Sequence, residues 1–183
     1  MDLREEAVLF HRVSQGDLRA FEELYRAYHP RLTRFVLNMT RRPTLTEEVL
    51  NDTMLVVWNR PDSYNGRSKL STWIFAIAYR KALKAMRRQD VPLEDQQAEL
   101  RQSDEVSPED GLEQRQQQQI LLGALAGLSK DHRTVVDLSY FHEMGYREIA
   151  DIMDCPVDTV KTRMFHARRQ LRTRLGGAMT DWL

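Results

Sequence analysis

Apolar side chains recur every three or four residues over most of the chain, which is the spacing of amphipathic helices. From Leu18 to Tyr28 they fall on one stripe of such a helix, and Asp17 just before it is a good N-cap. No segment shows the period-two pattern of a half-buried strand. The sequence therefore predicts an all-α fold. Before residue 90 the predicted helices begin after Asp17, after an interruption at Pro30, near Thr46, and at Ser71 or Thr72.

The C-terminal part of the chain has the same helical period. Helices are predicted at 117–127 and from the N-cap Ser129 to Gly145, then over the short segment 146–153. A last helix is predicted from Pro156 or Val157 to about Arg174, because proline is favoured at the first helical position. A short helix, a tight turn and a longer helix in this order predict a helix-turn-helix.

The last helix has one apolar stripe and one polar face. Its apolar members are Val157, Val160, Met164, Ala167 and Leu171. Two interpretations fit the pattern: a recognition helix that lies in the major groove of DNA, or an ordinary amphipathic surface helix. The preceding short helix, the turn and the basic bias together favour the first. The polar face carries Asp158, Thr162, His166 and Arg169, with Thr159 and Phe165 at its borders and Arg163 beside the stripe.

Charge divides the chain further, although the formal net charge is zero. Residues 90–115 hold nine acids and two bases, whereas 79–88 hold five bases and no acid, and 157–174 hold six bases and one acid. The acidic segment also contains prolines, a glycine and many glutamines, which disfavours a packed core. The expected organisation is two small helical domains, 1–90 and 116–183, joined by a flexible acidic linker at 91–115.

The predicted helix that begins near residue 70 has a broad apolar face and a basic face. On a helical wheel Trp73 falls within the basic arc. A tryptophan there can stack on unpaired nucleic-acid bases, or it can pack beneath the preceding loop, and the sequence leaves both open. A membrane-surface role is disfavoured, because it would use the apolar face that the N-terminal domain needs as its core. The bases on this helix are Arg80, Lys81, Lys84, Arg87 and Arg88.

Enzymatic and metal-binding functions find little support in the sequence. Cys155 is the only cysteine and falls in the turn of the helix-turn-helix, with no base placed beside it, and the five histidines have no ligand spacing. We expect no metal, no cofactor and no catalytic site. The acidic N-terminus does not resemble a signal peptide and no apolar run is long enough to span a membrane, so a cytoplasmic protein is expected.

Four segments in order resemble the extracytoplasmic-function (ECF) group of bacterial RNA polymerase sigma factors. They are GDLRAFEELY, TEEVLNDTMLVVW, DSYNGRSKLSTWIFAIAYRKAL and REIADIMDCPVDTVKTRMFHARRQL. The resemblance covers about residues 15–175. It implies an alternative sigma factor that binds core RNA polymerase, recognises duplex DNA at the −35 element and single-stranded DNA at the −10 element, and initiates transcription of a stress- or signal-responsive regulon. An anti-sigma factor is a further expected partner.

The resemblance also implies roles for individual residues. The segment with Glu48, Asn51, Asp52 and Leu55 is similar to the region that docks on core polymerase, although acids there would also fit ordinary surface charge near a helix N-terminus. The −10 contacts implied are Ser63, Tyr64, Asn65, Arg67, Lys69, Trp73, Arg80, Lys81, Lys84 and Arg88. The −35 contacts implied are Asp158, Thr159, Lys161, Thr162, Arg163, Phe165, His166 and Arg169.

The main alternative is a conventional helix-turn-helix regulator that acts without sigma activity. Such a protein needs a dimer surface or a sensor domain. The N-terminal half shows neither clearly, and it carries a basic aromatic helix that a repressor does not need.

Overall fold

The computed structural model describes residues 3–88 and 120–175, and these residues form helices, turns and loops without a strand. The predicted acidic linker, 91–115, lies outside the described residues. In the described residues the all-α prediction is confirmed. The helices are α1 (Leu3–Ser14), α2 (Leu18–Thr40), α3 (Pro43–Asn59), α4 (Leu70–Arg88), α5 (120–126), α6 (Lys130–Val136), α7 (Tyr146–Met153) and α8 (Val157–Leu175).

The N-terminal half is a helical bundle in which α2, α3 and α4 pack together and α1 packs on α2. Its core contains fully buried side chains from all three central helices, among them Phe35, Leu50 and Phe75. The carboxylate of Asp17 accepts hydrogen bonds from the backbone N–H groups of Arg19 and Ala20 at 3.0 and 3.1 Å, which confirms it as the N-cap of α2.

Several helix boundaries in this half differ from the sequence-based prediction. Helix α1 was not predicted, and α2 continues through Pro30, because Tyr28 and Leu32 on either side are buried and hold the helix in place. Pro43 opens α3 at the first turn, so the helix starts earlier than Thr46. Helix α4 begins at Leu70. Ser71 and Thr72 therefore lie inside it and do not cap it.

The C-terminal half contains the predicted helix-turn-helix in α7 and α8. Ile149, Ala150 and Met153 are buried on the inner face of α7, and Asp154 ends the helix in the left-handed conformation at φ 50°. The helix predicted from Ser129 to Gly145 is instead shorter. Ser129 does cap α6, but a π-helical turn (Asp137–Phe141) follows, and Gly145 opens α7.

The two halves pack against each other. Helix α4 contacts α7, and α2 contacts both α6 and the π-helical turn. The buried side chains form one continuous cluster that includes Phe35 and Phe75 from the first half and Leu138 and Ile149 from the second. The sequence did not predict this contact, because an apolar stripe that faces its own domain and one that also faces a neighbour have the same period.

Candidate nucleic-acid interface

The loop between α3 and α4 presents polar side chains on a backbone held by its own hydrogen bonds. After a 3-10 turn (Pro61–Ser63), the Tyr64 hydroxyl donates to the Ser68 carbonyl at 2.6 Å. The Arg67 N–H donates to the Asn65 side-chain oxygen at 3.0 Å, across a glycine at φ 71°. Ser63, Asn65, Arg67 and Lys69 are exposed, so four of the predicted −10 contacts are accessible to solvent on one loop.

Trp73 packs against aromatic rings of two other segments. Its ring lies 5.4 Å from the ring of Tyr64 and 5.6 Å from that of Phe10, and the Phe10 and Tyr64 rings are 5.3 Å apart. Trp73 nevertheless remains half-buried. Burial and, next, the nearby Glu6 carboxylate raise the pKa of Tyr64, so its hydroxyl stays protonated as a donor. Trp73 therefore does pack with the loop, and α1, which the sequence analysis missed, supplies the third ring.

The predicted basic face of α4 contains both paired and exposed cations. The Lys81 ammonium lies 3.1 Å from the Asp52 carboxylate of α3, and Arg88 pairs with Glu48, which also belongs to α3. Arg80 and Lys84 are exposed. The structure thus brings two of the predicted polymerase contacts together with two of the predicted −10 contacts.

The predicted polymerase contacts lie on one side of α3. Their spacing along the helix is three, one and three residues, which places all four on the same face: Glu48, Asn51, Asp52 and Leu55. Leu55 is 56% exposed, although its neighbours Met54 and Val57 are buried. Leu55 is thus a single exposed leucine among the polar side chains of this face.

Helix α8 presents its predicted polar face to solvent. Asp158, Lys161, Thr162, Phe165, His166 and Arg169 are exposed, and Thr159 is half-buried. The stripe residues Val160, Met164, Ala167 and Leu171 are buried against the C-terminal half, whereas Val157 is half-buried. Phe165 is 62% exposed, an unusual position for phenylalanine. The exposed polar face and the buried apolar stripe of α8 are therefore those that the sequence predicted.

Arg163 differs from the other predicted −35 residues. Its guanidinium lies 2.6 Å from the Asp131 carboxylate of α6, and it also donates to the Cys155 sulfur at 3.7 Å. Its side chain is 25% exposed. Arg163 is therefore tied to the body of the C-terminal half, and the sequence analysis missed Asp131 because the pairing joins different helices.

Glu148 also has a role that the sequence analysis missed. One carboxylate oxygen accepts from the Gly145 N–H at 3.0 Å, while the other lies 3.1 Å from the Lys69 ammonium and 3.2 Å from the Thr72 hydroxyl. Burial alone would raise the pKa of Glu148, but the bonds from Gly145, Lys69 and Thr72 outweigh it and lower that pKa. A predicted −10 contact, Lys69, is thus paired with the C-terminal half.

Residues 3–88 and 120–175 contain no cluster of three histidine, cysteine or acidic side chains that could hold a metal ion. None of the helices in these ranges is long and apolar enough to cross a bilayer.

Comparison with known proteins identifies two matching family models. Residues 24–91 match Sigma-70 region 2, and residues 118–171 match Sigma-70, region 4. The ECF RNA polymerase sigma-E factor of Haemophilus influenzae is 27% identical over 180 residues, which cover 93% of this chain and 95% of that protein. The RNA polymerase sigma-H factor of Pseudomonas aeruginosa is 25% identical over 177 residues, covering 91% and 92%.

Two solved structures have a similar fold. CnrH, in complex with the cytosolic domain of CnrY, gives a TM-score of 0.67 at 20% identity, covering 93% of this chain and 97% of that one. The sigma factor RpoE from Bartonella quintana, in complex with the anti-sigma factor NepR, gives 0.65 at 25% identity, covering 87% and 98%. With regions 2 and 4 in this order and ECF sigma factors among its relatives, the chain belongs to the ECF group of the sigma-70 family, whose members are transcription initiation factors and not enzymes.

Proposed function

We propose that this alternative sigma factor uses the loop at 60–69 and α4 to hold the single-stranded −10 element, and α8 to bind the −35 duplex. The observation that carries the proposal is the presence of two exposed polar and basic surfaces, one on each half of the chain. One combines aromatic rings with cations, which suits unpaired bases, and the other is a helix, which suits a major groove.

The −10 surface would capture bases after strand separation. Ser63, Asn65 and Arg67 offer exposed donors and acceptors on a loop whose backbone is already fixed, so little conformational entropy is lost on binding. Exposed Arg80 and Lys84 would neutralise phosphates along the strand. Base stacking and hydrogen bonds in the loop would offset the lost base pairs.

The −35 surface would insert α8 into the major groove. Thr162 and His166 lie on its exposed face and can form hydrogen bonds with base edges, while Phe165 can contact a thymine methyl group. Arg169 follows on the same face and would hold phosphate. Arg163 would act differently, by fixing α8 on α6 through Asp131.

Core polymerase would bind the face of α3 that carries Asn51 and Leu55. Both side chains are exposed, and the leucine supplies apolar area that polar neighbours surround. The domain boundaries that fit this division are 1–90 and 116–183, with 91–115 as the connection. A cytoplasmic location and an anti-sigma partner are also proposed, and the NepR-bound relative supports the partner.

Reconstitution with core RNA polymerase tests the function directly. Core polymerase with the purified chain is expected to give transcripts from defined promoters, whereas core polymerase alone gives none. Binding of a promoter duplex without polymerase, and no transcripts with it, would favour the conventional helix-turn-helix regulator.

A matched pair of variants tests the polymerase face. Leu55→Ala should weaken binding to core polymerase and promoter-specific transcription together. Leu18→Ala removes another exposed leucine, 68% exposed against 56% for Leu55, outside the α3 face and should leave both binding and transcription unchanged. Equal effects of the two substitutions would contradict the assignment.

A further inference from the structure

A small cavity lies where the C-terminal end of α2 meets α5, α6 and the π-helical turn. Its volume is about 50 Å³, which is room for about three or four water molecules. A cavity that holds a benzene ring measures about 150 Å³, so a ring does not fit inside this one, whereas a tetrahedral oxyanion does. Asp137 and Phe141, the two ends of the π-helical turn, both line the cavity, and such turns are frequent at functional sites.

Three arginine side chains line this cavity. Arg34 and Arg41 lie two turns apart on α2, and Arg133 belongs to α6. The Arg34 guanidinium stacks on the exposed Phe141 ring, 3.9 Å from its centroid. Asp137 is the only acid among the lining residues that the structure describes, so the wall of the cavity carries more positive than negative charge. The cavity therefore favours an anionic ligand.

The three guanidinium groups of this cavity have no carboxylate paired with them in the described part of the chain. Burial and, next, the Arg41 charge lower the pKa of Arg133 to about 10, and the Asp137 charge offsets only part of that shift. None of the ion pairs within residues 3–88 and 120–175 includes Arg34, Arg41 or Arg133. Like charges held together in a partly buried site repel each other, and a bound anion would relieve that repulsion.

Helix capping accounts for some of the arginine donors. Arg133 donates from Nε to the Asn38 carbonyl at 2.9 Å and from Nη1 to the Leu128 carbonyl at 3.3 Å. Arg41 donates from Nη2 to the Ala126 carbonyl. These carbonyls lie near the C-terminal ends of α2 and α5, where cations are favourable. A guanidinium group has five N–H donors, so both arginines keep donors that a ligand can use.

We propose that this cavity binds a phosphate group, supplied either as free phosphate or as the end of the phosphate chain of a nucleotide. Guanidinium groups donate pairs of parallel hydrogen bonds that match the oxygen atoms of phosphate, and Arg34, Arg41 and Arg133 offer them from two helices. In a nucleotide, the phosphate would enter the cavity and the nucleoside would remain outside it. None of the lining residues is a predicted DNA or polymerase contact, so this site goes beyond the proposed function and does not depend on it.

The site is expected to bind phosphate weakly, because so small an ion has few atoms with which to make contacts. A dissociation constant on the order of 1 mM is expected. Each arginine that is removed should weaken binding about tenfold or more, since a hydrogen bond between charged groups is lost.

Three substitutions of arginine by glutamine test the site. Arg34→Gln and Arg41→Gln each remove a charge from the cavity and keep a long polar side chain. Arg19→Gln removes an exposed charge from the first turn of the same helix, where the side chain does not line the cavity, and is the matched control. Arg133 is left unchanged, because its bonds to two backbone carbonyls make it part of the packing between helices.

Isothermal titration calorimetry of each full-length protein with sodium phosphate, at an ionic strength held constant with sodium chloride, measures the binding. The parent and Arg19→Gln are expected to bind one phosphate saturably, and Arg34→Gln and Arg41→Gln to bind it about tenfold or more weakly. Titration with magnesium-free ATP separates the two sources of phosphate. Tighter binding of ATP than of free phosphate, lost in the same two variants, indicates a nucleotide, and weaker or equal binding indicates free phosphate.

Absence of saturable binding of both phosphate and ATP overturns the proposal. It is also overturned if neither cavity variant binds more weakly than the parent, or if Arg19→Gln weakens binding as much as they do. Urea unfolding verifies that the variants are folded, and either cavity variant alone decides the matter if the other is not. The titrations involve no DNA and no polymerase, so their result is independent of the −10 and −35 assignments.

Discussion

The aromatic cluster around Trp73 allows packing and base stacking to be separated by mutation. Trp73→Ala removes two ring contacts, at 5.4 and 5.6 Å, each worth about 0.5–1.5 kcal/mol beyond burial. Loss of a stacked base would cost about 1–3 kcal/mol in DNA binding. Because the free energies lost from ring packing and from base stacking are similar in size, Trp73→Ala by itself does not distinguish packing with the loop from stacking on a base.

Phe10→Leu provides the distinction. It removes the Phe10 ring from the cluster but keeps Trp73 available to DNA. If Trp73 stacks on a base, Trp73→Ala should weaken binding to a pre-opened −10 region about 5- to 150-fold, which is about 1–3 kcal/mol. Phe10→Leu should then change that affinity by about twofold or less.

The assay uses holoenzyme and a promoter fragment in which the −10 strands are already unpaired. A second fragment that carries only the −35 duplex is the internal control, and neither substitution should affect it. Open-complex formation on the intact promoter should fall with Trp73→Ala. Equal losses for the two variants on the pre-opened fragment, or equal losses of Trp73→Ala on both fragments, would refute stacking.

Three further substitutions test the C-terminal half. Arg169→Ala should weaken binding to all −35 duplexes by a similar factor and lower the slope of the salt dependence by about one. Titrations at several salt concentrations would measure both effects. A loss of affinity that depends on the base pair at one position would instead indicate base recognition. Leu171→Ala, at a site 2% exposed, should lower the free energy of unfolding by about 2–5 kcal/mol in urea titrations, and a loss below about 1 kcal/mol would contradict its place in the core. Burial and, next, His166 lower the pKa of His132 below 6.5. The unfolded chain therefore takes up this proton first, stability falls as pH drops below about 6.5, and His132→Gln should flatten that part of a stability–pH curve.

Periodicity predicted the parts of the fold that depend on one helix at a time. The stripe on α8 that contains Val160 and Leu171 was found as predicted, and so was the cap at Asp17. Helix boundaries were less predictable where tertiary packing overrides local preference, as at Pro30 within α2. The π-helical turn (Asp137–Phe141) was not predicted, because this segment follows the same helical period as the residues before it.

Pairings between helices were the least predictable part of the candidate site. The sequence places Lys81 and Asp52 in different motifs, and only the packing of α4 on α3 brings their charges to 3.1 Å. Similarly, the sequence shows that Glu148 is an acid near the start of a predicted helix, but its distance to Lys69 depends on how the two halves pack. Side-chain identity predicted which residues are charged, and tertiary structure decided which of those charges are available.

The ion pairs of α4 have a consequence for binding to random DNA. A cation that binds phosphate releases condensed counterions, and this release drives much of non-specific affinity. Lys81 and Arg88 already have carboxylate counterions within the protein, in Asp52 and Glu48. DNA must displace those carboxylates before it gains either cation, so part of the entropy of ion release is lost. A chain rich in arginine and lysine can thereby stay weakly attracted to the bulk of a genome.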